Sequence, residues 1–303
     1  MSDVLTRTVD IDGINLRSTL GFLAMFRNDP TNRLGNTSFS RATFTPEGAA
    51  TLGVDWSGDP TKAEVSTWGD GGQWVLDRAE RLLGVEDDVS TFDPPEGRVR
   101  HVWERTSRRR LARTGTLWHD LAWFIMQQRV RTVDASAQWT RFVTALGEPA
   151  PGPFGLTLPP SPATTSATPY FGFHPFGIER QRADNLREAA RIVERFAASV
   201  DEPFDDTRRR LGTVRGIGPW TLSNLAGTTW GDADAVIVGD AGIPHAVTWF
   251  LADEPWGTDE RMLELLEQYR PHRARVIHLA FASGRKPPRR APTPYGTNPI
   301  RRR

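Results

Sequence analysis

A Gly-Ile-Gly turn and one aspartate downstream of it are the residues of this 303-residue chain whose types and spacing best suit chemistry. The turn occupies residues 216–218, and the acid is Asp240. A carboxylate held in a fixed position can stabilise positive charge that develops in a transition state, or orient a water molecule for attack. Asp240 is also placed to cap a helix predicted to begin near residue 241, and capping would fix the direction of its carboxylate. The segment predicts a binding element joined to a catalytic acid.

The residues around the turn predict two helices that reverse direction and leave a site for a phosphate. Gly216 and Gly218 supply the backbone freedom of a sharp reversal and allow another backbone to approach closely. Pro219 suits the first turn of the second helix, where a missing N–H costs nothing. The free N–H groups at that helix start can hold a phosphate without reading bases. An ordinary helix-helix turn is the alternative for this spacing taken alone.

The segment from residue 211 to 247 resembles the helix-hairpin-helix, Gly/Pro, Asp superfamily of base-excision DNA glycosylases. Within it, the segment is most similar to the AlkA-like branch, 3-methyladenine DNA glycosylase II. The residues that carry the match are Val214, Gly216, Ile217, Gly218, Trp220, Thr221 and Ala226. The resemblance implies that the first six bind DNA and that Asp240 is catalytic. It also implies a monovalent cation at the backbone carbonyls of Val214 and Ile217, which would leave no side-chain signature.

The resemblance extends over most of the chain. Residues 20–23 match the start of the family's N-terminal domain, and residues 118–132 look like the helix and loop that insert a residue into the duplex. This implies DNA contacts for Gln128 and Arg129, with Arg129 as the wedge or, alternatively, as a phosphate contact. The implied base pocket consists of Phe22, Trp118, Trp123, Asn224 and Phe281. For Trp123 and Trp220, packing in the core is the alternative.

The implied function is a DNA glycosylase of base-excision repair, which flips a damaged base out of duplex DNA and hydrolyses its N-glycosidic bond. An alkylated purine is the expected substrate. Three departures weaken 3-methyladenine specificity: Phe281 replaces a tryptophan, Asn224 a tyrosine and Gly239 a second acid. Another modified base such as 8-oxoguanine is therefore an alternative. A non-catalytic DNA-binding protein on the same scaffold is the other, although it would not need Asp240.

The cysteine and lysine contents narrow the chemistry. Without cysteine the chain can hold neither a disulfide nor an iron–sulfur cluster, which excludes the cluster-bearing branches of the superfamily. Bifunctional relatives use a lysine just before the hairpin to form a Schiff base, whereas the two lysines here are Lys62 and Lys286. We expect a monofunctional hydrolase that needs no cofactor and leaves the abasic site to a downstream endonuclease. Six scattered histidines predict no side-chain metal site.

Charge is distributed unevenly along the chain. Residues 1–96 carry 8 basic and 16 acidic groups, and residues 97–303 carry 30 and 21. The basic excess favours contact with a DNA backbone. It is concentrated in the arginines of 98–113 and in a proline-rich tail at 285–303. The alternative for the arginines is a solvated surface, and the alternative for the tail is a disordered end. We expect a monomer that acts on double-stranded DNA containing a damaged base.

Periodicity and breaker residues predict an α+β fold with two domains. Strand-like stretches at 14–22, 41–44 and 63–68 and a helix at 72–83 predict an antiparallel β domain at 1–90, TBP-like by resemblance. A polar linker at 87–96 leads to an all-α core at 97–303. Its helical patterns lie near 116–128, 133–146, 179–198, 205–214, 219–226, 241–252 and 258–283, with a long connection at 148–173. With no membrane-length apolar run, we expect a cytoplasmic, nucleoid-associated protein.

Overall fold

The computed structural model describes residues 4–24, 26–106 and 109–288. The α+β prediction is confirmed, because an antiparallel sheet near the N-terminus is followed by helices. The sheet has five strands in the order β1-β5-β4-β3-β2. They are β1 Leu5–Asp10, β2 Asn32–Leu34, β3 Ser38–Thr45, β4 Gly48–Asp55 and β5 Lys62–Trp68. Most of the predicted basic tail lies outside the described residues.

The sheet is covered on both faces at β3 and β4, where Ala42 packs with Leu156 and Leu158 on the side away from the main core. Strand β5 alternates, since Ala63, Val65 and Thr67 are buried whereas Lys62 and Glu64 are exposed. This period of two is that of a half-buried strand. The buried side chains of β5 pack against the helices that follow, in the same hydrophobic cluster.

The predicted strand at 14–22 is wrong, because Leu16–Leu20 form helix α1. The side chain of Asn15 caps this helix by accepting a hydrogen bond from the backbone N–H of Ser18 at 3.0 Å. Leu16, Thr19 and Leu20 are buried, which is the spacing of one helix face. A short apolar run does not distinguish strand from helix, and here the cap favours the helix.

The predicted helices occur in the predicted order with local interruptions. The helices at 98–106 and 162–167 were not predicted, and the second lies within the segment predicted as a long connection at 148–173. The helices after α1 are α2 Gly72–Asp77, α3 Ala79–Leu82, α4 Arg98–Thr106, α5 Leu117–Gln127, α6 Thr132–Leu146, α7 Pro162–Ala167, α8 Arg180–Ile192, α9 Phe204–Leu211, α10 Pro219–Thr228, α11 Ile243–Ala252, α12 Asp259–Leu266 and α13 Arg273–Ala282. Short 3₁₀ helices span Tyr170–Phe176, Val193–Asp201 and Glu267–Tyr269. The single helix predicted at 258–283 is broken before Pro271, which cannot continue the helical hydrogen bonds. The helix predicted at 72–83 is divided at Arg78, whose φ of −107° and ψ of 12° lie outside the helical range.

The main hydrophobic core is continuous from the sheet into the helices. Val65 of β5, Leu121 of α5, Phe142 of α6 and Leu225 of α10 belong to one buried cluster. The sheet therefore completes the core of the helices, with α5 packed against both β3 and α10. The proposed domain boundary between residues 90 and 97 stays a prediction.

A second buried cluster unites the segment at 87–96 with the C-terminal helices. Phe92 packs in it with Val99 of α4, Phe250 of α11 and Val276 of α13. At the edge of the cluster, Asp87 and Arg275 form an ion pair of 2.6 Å with side chains 7% and 3% exposed. The predicted linker is therefore packed against the helices along part of its length. Within the described residues, every helix is too short or too polar to cross a bilayer.

Candidate functional site

Gly216 makes the turn between α9 and α10 and has no room for a side chain. Its φ of 86° lies in the left-handed region that favours glycine. A Cβ atom at this position would lie 2.2 Å from the carbonyl group of the Asn185 side chain on α8. The backbone angle therefore favours glycine at position 216, and any side chain there would also displace the Asn185 amide from its hydrogen bond with Gln128.

Gln128 holds the turn in place from behind. Its amide nitrogen donates hydrogen bonds to the Gly216 carbonyl at 2.8 Å and to the Thr221 hydroxyl at 3.1 Å. Its amide oxygen accepts a hydrogen bond from Asn185 at 2.9 Å. Both amide protons are thus used within the protein. The structure gives Gln128 a positioning role and brings in Asn185, which sequence reasoning missed, while the DNA contact of Gln128 stays a prediction.

Gly218, unlike Gly216, has open space around its Cα atom. A Cβ atom placed there would meet no atom of the described residues within 4 Å, and the backbone φ of −101° is open to any residue. No contact in the described part of the chain therefore requires glycine at position 218. The open space lies at the N-terminus of α10, where free N–H groups favour an anion.

The other predicted hairpin residues divide between core and surface. Ile217 and Thr221 are buried, while Val214 and Trp220 are half-buried. The Val214 carbonyl accepts the Ile217 N–H at 3.0 Å, which uses one of its two lone pairs. The monovalent cation at this turn stays a prediction.

Asp240 lies at the start of α11, with both carboxylate oxygens held. One oxygen accepts the backbone N–H groups of Gly242 at 2.8 Å and Ile243 at 2.9 Å. The other accepts the indole N–H of Trp220 at 3.0 Å. The carboxylate is half-buried and retains access to the cleft. The helix begins at Ile243 with Gly242 as its N-cap residue, two residues later than predicted, so Asp240 is not the N-cap itself. Its carboxylate nevertheless accepts the first N–H groups of the helix, which fixes its direction.

A cleft brings the hairpin, Asp240 and the loop after α5 together. Its lining comes from residues 127–131, 216–221 and 239–241, with contributions from α8. Arg129 is exposed in this cleft and has a φ of 60°, which is uncommon outside glycine. Its guanidinium is 3.4 Å from the Gln181 side chain, and it forms no ion pair with any residue in the described ranges. Its positive charge is therefore available to a group that enters the cleft.

A second, more enclosed cavity adjoins the cleft, and Gln127 lines both. Its walls carry the aromatic rings of Phe22, Phe26, Trp123, Phe124 and Trp139. The Trp123 ring centroid is 5.3 Å from that of Phe26 and 5.7 Å from that of Trp139. Flat aromatic walls of this kind suit a planar ring that stacks on them.

Three of the five predicted pocket residues line this cavity, namely Phe22, Trp123 and Asn224. The structure places the other two elsewhere. Trp118 is buried behind the cavity, where its indole N–H donates to the Pro160 carbonyl at 2.9 Å. Phe281 is 58% exposed on α13. Phe26 and Trp139 take part instead, and neither has a local sequence pattern that could have identified it.

The sheet side of the cavity is polar, which the sequence did not reveal. Arg41 of β3 and Asp120 of α5 form an ion pair of 2.8 Å, with side chains 5% and 4% exposed. Asp120 also accepts hydrogen bonds from the hydroxyls of Thr114 and Thr229. Burial raises the pKa of the Asp120 carboxyl, while Arg41 and the two hydroxyls oppose that rise. This pair ties the sheet to α5 and to the end of α10.

His119 is a neutral member of the same polar layer. Its two ring nitrogens lie 3.2 Å and 3.3 Å from the hydroxyls of Thr31 and Thr43, and its ring stacks on Trp139. Burial lowers the pKa of His119 well below its ordinary value, and the nearby Arg41 charge lowers it further. A buried imidazole between two hydroxyls is therefore uncharged at neutral pH.

The wall residue Phe22 is supported from behind by α13. The ring of His278 meets the Phe22 ring edge-on at a centroid distance of 4.9 Å. Arg109 donates a hydrogen bond to the Nδ1 of His278 at 3.1 Å. Burial, followed by the Arg109 and Arg275 charges, lowers the pKa of His278 to about 3.

Most described members of the arginine cluster at 98–113 are engaged within the protein. Arg98 pairs with Asp253, Arg100 with Asp93, Arg109 bonds His278, and Arg113 donates to the Val200 carbonyl. Arg108 lies outside the described residues. These contacts join α4 and the following loop to other elements. The cluster therefore has a structural role, which gives little support to the predicted contact with a DNA backbone.

Comparison with known proteins matches the part of the chain that carries this site. The family model for the HhH-GPD superfamily base excision DNA repair protein matches residues 122–271. A Bacillus subtilis (strain 168) protein named "Putative DNA-3-methyladenine glycosylase YfjP" is 25% identical over 165 residues, which are 52% of this chain and 54% of that protein. The match thus spans about half the length of this curated relative.

Solved structures show a similar fold over nearly the whole chain. A 3-methyladenine DNA glycosylase from Archaeoglobus fulgidus superposes with a TM-score of 0.76 at 17% identity, covering 91% of this chain and 97% of that one. An 8-oxoguanine glycosylase/lyase from Clostridium acetobutylicum, bound to DNA with cytosine opposite 8-oxoguanine, gives 0.66 at 12% identity and covers 94% and 97%. At these identities the likeness concerns the fold.

Proposed function

Because the chain belongs to the HhH-GPD superfamily of base excision DNA repair proteins, we propose that it is a monofunctional DNA glycosylase. In this proposal it flips a damaged base out of duplex DNA and hydrolyses the N-glycosidic bond. The observation that carries the proposal is the position of Asp240, a carboxylate with a fixed direction in the cleft beside the hairpin.

The hairpin and Arg129 would hold the DNA in the flipped state. The anomeric carbon of a stacked nucleotide is out of reach, so flipping must be stabilised against a cost of a few kcal/mol. The open N-terminus of α10 at Gly218 offers backbone N–H groups to a phosphate. Arg129 projects from the other side of the same cleft and would fill the gap left by the flipped base.

Asp240 would act on the sugar. As the bond between the anomeric carbon and the base breaks, its electron pair leaves with the base and positive charge develops on the sugar. The carboxylate stabilises that charge and orients a water molecule, whose oxygen bonds to the anomeric carbon. The proton that water loses passes to the departing base or to solvent. The products are a free base and an abasic site.

The proposal excludes strand cleavage by a Schiff base. Lys62 is exposed on β5 and Lys286 follows α13, and neither lines the cleft. The arginines of α9 cannot replace a lysine, because a guanidinium stays protonated. A separate endonuclease would process the abasic site, and the enzyme would act as a monomer. Borohydride reduction during the reaction should trap no covalent complex with damaged DNA.

An alkylated purine is the proposed substrate. The cavity beside the cleft offers aromatic faces, among them Phe22 and Trp123, to an electron-poor ring. The name of the Bacillus subtilis relative agrees with this substrate class. The same cavity carries polar groups on its sheet side, so it can also make hydrogen bonds to the edge of a base.

Base release from defined duplexes tests the proposal. Duplexes carrying 3-methyladenine, 7-methylguanine, hypoxanthine or 8-oxoguanine are incubated with the wild type and with Asp240→Asn. We expect release of an alkylated purine, slowed about a hundredfold or more in the variant. Asp232→Asn is the matched control, because Asp232 is an exposed acid of the same loop. Release of 8-oxoguanine alone would replace the alkylated purine as the assigned substrate. Tight DNA binding without release of any base would indicate a non-catalytic DNA-binding protein.

A further inference from the structure

We propose that Asp29 is a specificity-determining residue, which accepts a hydrogen bond from an N–H group on the edge of the base. The inference rests on the proposed function, because it assigns the cavity to a flipped base. Asp29 lies just before β2 and lines the cavity together with Phe26, Trp123 and Trp139. It is far in sequence from the hairpin and from Asp240.

The charges around the cavity leave Asp29 without a counter-ion. Arg41 and Asp120 neutralise each other in their buried ion pair. His119 is uncharged, since its pKa is held well below its ordinary value. No arginine, lysine or histidine in the described ranges forms an ion pair with Asp29. The carboxylate is therefore the one charge among the lining residues that is not balanced by another.

Hydrogen bonds fix this carboxylate and leave one direction open. Its Oδ1 accepts the Thr31 N–H at 2.8 Å, the Thr31 hydroxyl at 2.7 Å and the Trp139 indole N–H at 3.2 Å. Its Oδ2 accepts a single hydrogen bond, from the Asn32 amide at 2.9 Å. A carboxylate oxygen can accept about two hydrogen bonds. Oδ1 is thus fully used, whereas Oδ2 can accept one more donor.

A ligand in the cavity would have to supply that donor. Filling the cavity with a base displaces water from the carboxylate, and a buried carboxylate with an unused acceptor is costly. A base with an N–H on its six-membered ring edge restores the lost hydrogen bond, whereas a base without one does not. A site built to bond such a group rejects the analogue that lacks it more strongly than an apolar pocket can. Asp29 would therefore select bases by an N–H group, while the aromatic walls select any flat ring.

Binding of free bases isolates this selection from catalysis. The probes are 9-methyladenine and 9-methylhypoxanthine, which carry an N–H on the six-membered ring edge, and 9-methylpurine, which carries none. All three have the 9-position blocked, as it is in DNA. Because Trp123 and Trp139 line the cavity, binding can be followed by tryptophan fluorescence and confirmed by calorimetry. We expect the wild type to bind at least one N–H probe about tenfold or more tightly than 9-methylpurine.

Two variants distinguish selection of the base by the Asp29 carboxylate from a structural role of Asp29 in the loop before β2. Asp29→Asn should bring the Kd of the preferred probe to within about twofold of that for 9-methylpurine, since the acceptor at Oδ2 becomes a donor. Thr31→Val is the matched control. It removes one hydrogen bond to Oδ1, together with the contacts of the same hydroxyl with His119 and Asn32, and leaves the carboxylate, so the preference should persist. Thermal unfolding of each variant checks the fold, and Asp29→Ala gives a second way to remove the acceptor.

The inference is overturned if the wild type binds the three probes alike, if it binds none of them, or if the preference survives in both Asp29 variants. Base release from duplexes is measured in parallel. A preference that depends on Asp29 without any base release would sink the proposed function and leave the inference standing. Base release without a preference that depends on Asp29 would support the proposed function and overturn the inference about Asp29.

Discussion

The indole N–H of Trp220 donates to Asp240 across 3.0 Å and joins the first turn of α10 to the start of α11. Trp220 follows the hairpin directly, so an element proposed to hold DNA also holds the proposed catalytic acid. The second carboxylate oxygen is held by the backbone of α11. If the hairpin holds DNA as proposed, the same hydrogen-bonded unit sets the positions of the DNA and of the acid.

Removing the indole N–H should slow catalysis without weakening DNA binding. In Trp220→Phe the aromatic ring stays and one hydrogen bond to the Asp240 carboxylate is lost. We expect single-turnover base release to fall roughly tenfold to a hundredfold, since hydrogen bonds to charged groups are the stronger ones. Trp230→Phe is the control, because that indole bonds the Glu202 carbonyl instead. An unchanged rate in Trp220→Phe would show that Asp240 needs no support from Trp220.

Replacing Gly216 with alanine should lower stability, whereas replacing Gly218 with alanine should weaken DNA binding. Gly216→Ala forces an alanine into a φ of 86° and against Asn185, so we expect the free energy of unfolding to fall by about 1–3 kcal/mol. Gly218→Ala meets no protein atom, so its stability should stay near that of the wild type. Its methyl group would lie where a phosphate approaches, and affinity for undamaged duplex should fall about tenfold.

Urea unfolding and a DNA titration at one fixed salt concentration measure the two effects. Each glycine variant serves as the control for the other. If Gly218→Ala binds duplex as tightly as the wild type, the space at the start of α10 does not receive the backbone.

The buried ion pair of Arg41 and Asp120 should contribute much more to the free energy of unfolding than an exposed ion pair does. Asp120→Asn leaves the Arg41 guanidinium buried without a counter-ion, and we expect a loss of about 3–5 kcal/mol in the free energy of unfolding. Asp134→Asn breaks the exposed pair with Arg131, which solvent screens, and should leave the free energy of unfolding close to that of the wild type. Denaturant unfolding of both variants gives the comparison. Equal losses would mean that Arg41 finds another partner or reaches water.

His278 should make stability depend on pH in a defined direction. Its pKa is about 3 in the folded protein and near 6.5 in an unfolded chain, so the unfolded state binds the proton first. The contribution of the neutral imidazole is fully present above pH 6.5 and is lost as the pH falls toward 3. His278→Asn keeps an acceptor for Arg109 and cannot gain a proton in this range.

Unfolding free energies of the wild type and His278→Asn are compared at pH 7.5 and pH 5. The wild type should lose more stability than the variant over this interval. Parallel losses would indicate that His278 is protonated without difficulty in the folded state.

The hairpin, the acid and the absence of a nearby lysine could be predicted from the sequence, because they depend on residues close together in the chain. The turn conformation follows from Gly216, and the carboxylate of Asp240 accepts N–H groups two and three residues away. Strand β5 was equally accessible through its alternation. Local geometry determines each of these features, so a single segment suffices to indicate them.

The cavity depended on contacts between distant parts of the chain. Asp29, Arg41 and Asp120 come from a loop, a strand and a helix, and no spacing in the sequence relates them. The support of the turn by Gln128 follows in the same way from the packing of α5 against α8 and α10, and the indole of Trp118 meets the distant Pro160 carbonyl. Whether an aromatic or polar side chain faces a cavity, a core or solvent depends on what packs against it. That choice is made by the assembled fold, whereas backbone angles and caps are set by neighbours in the chain.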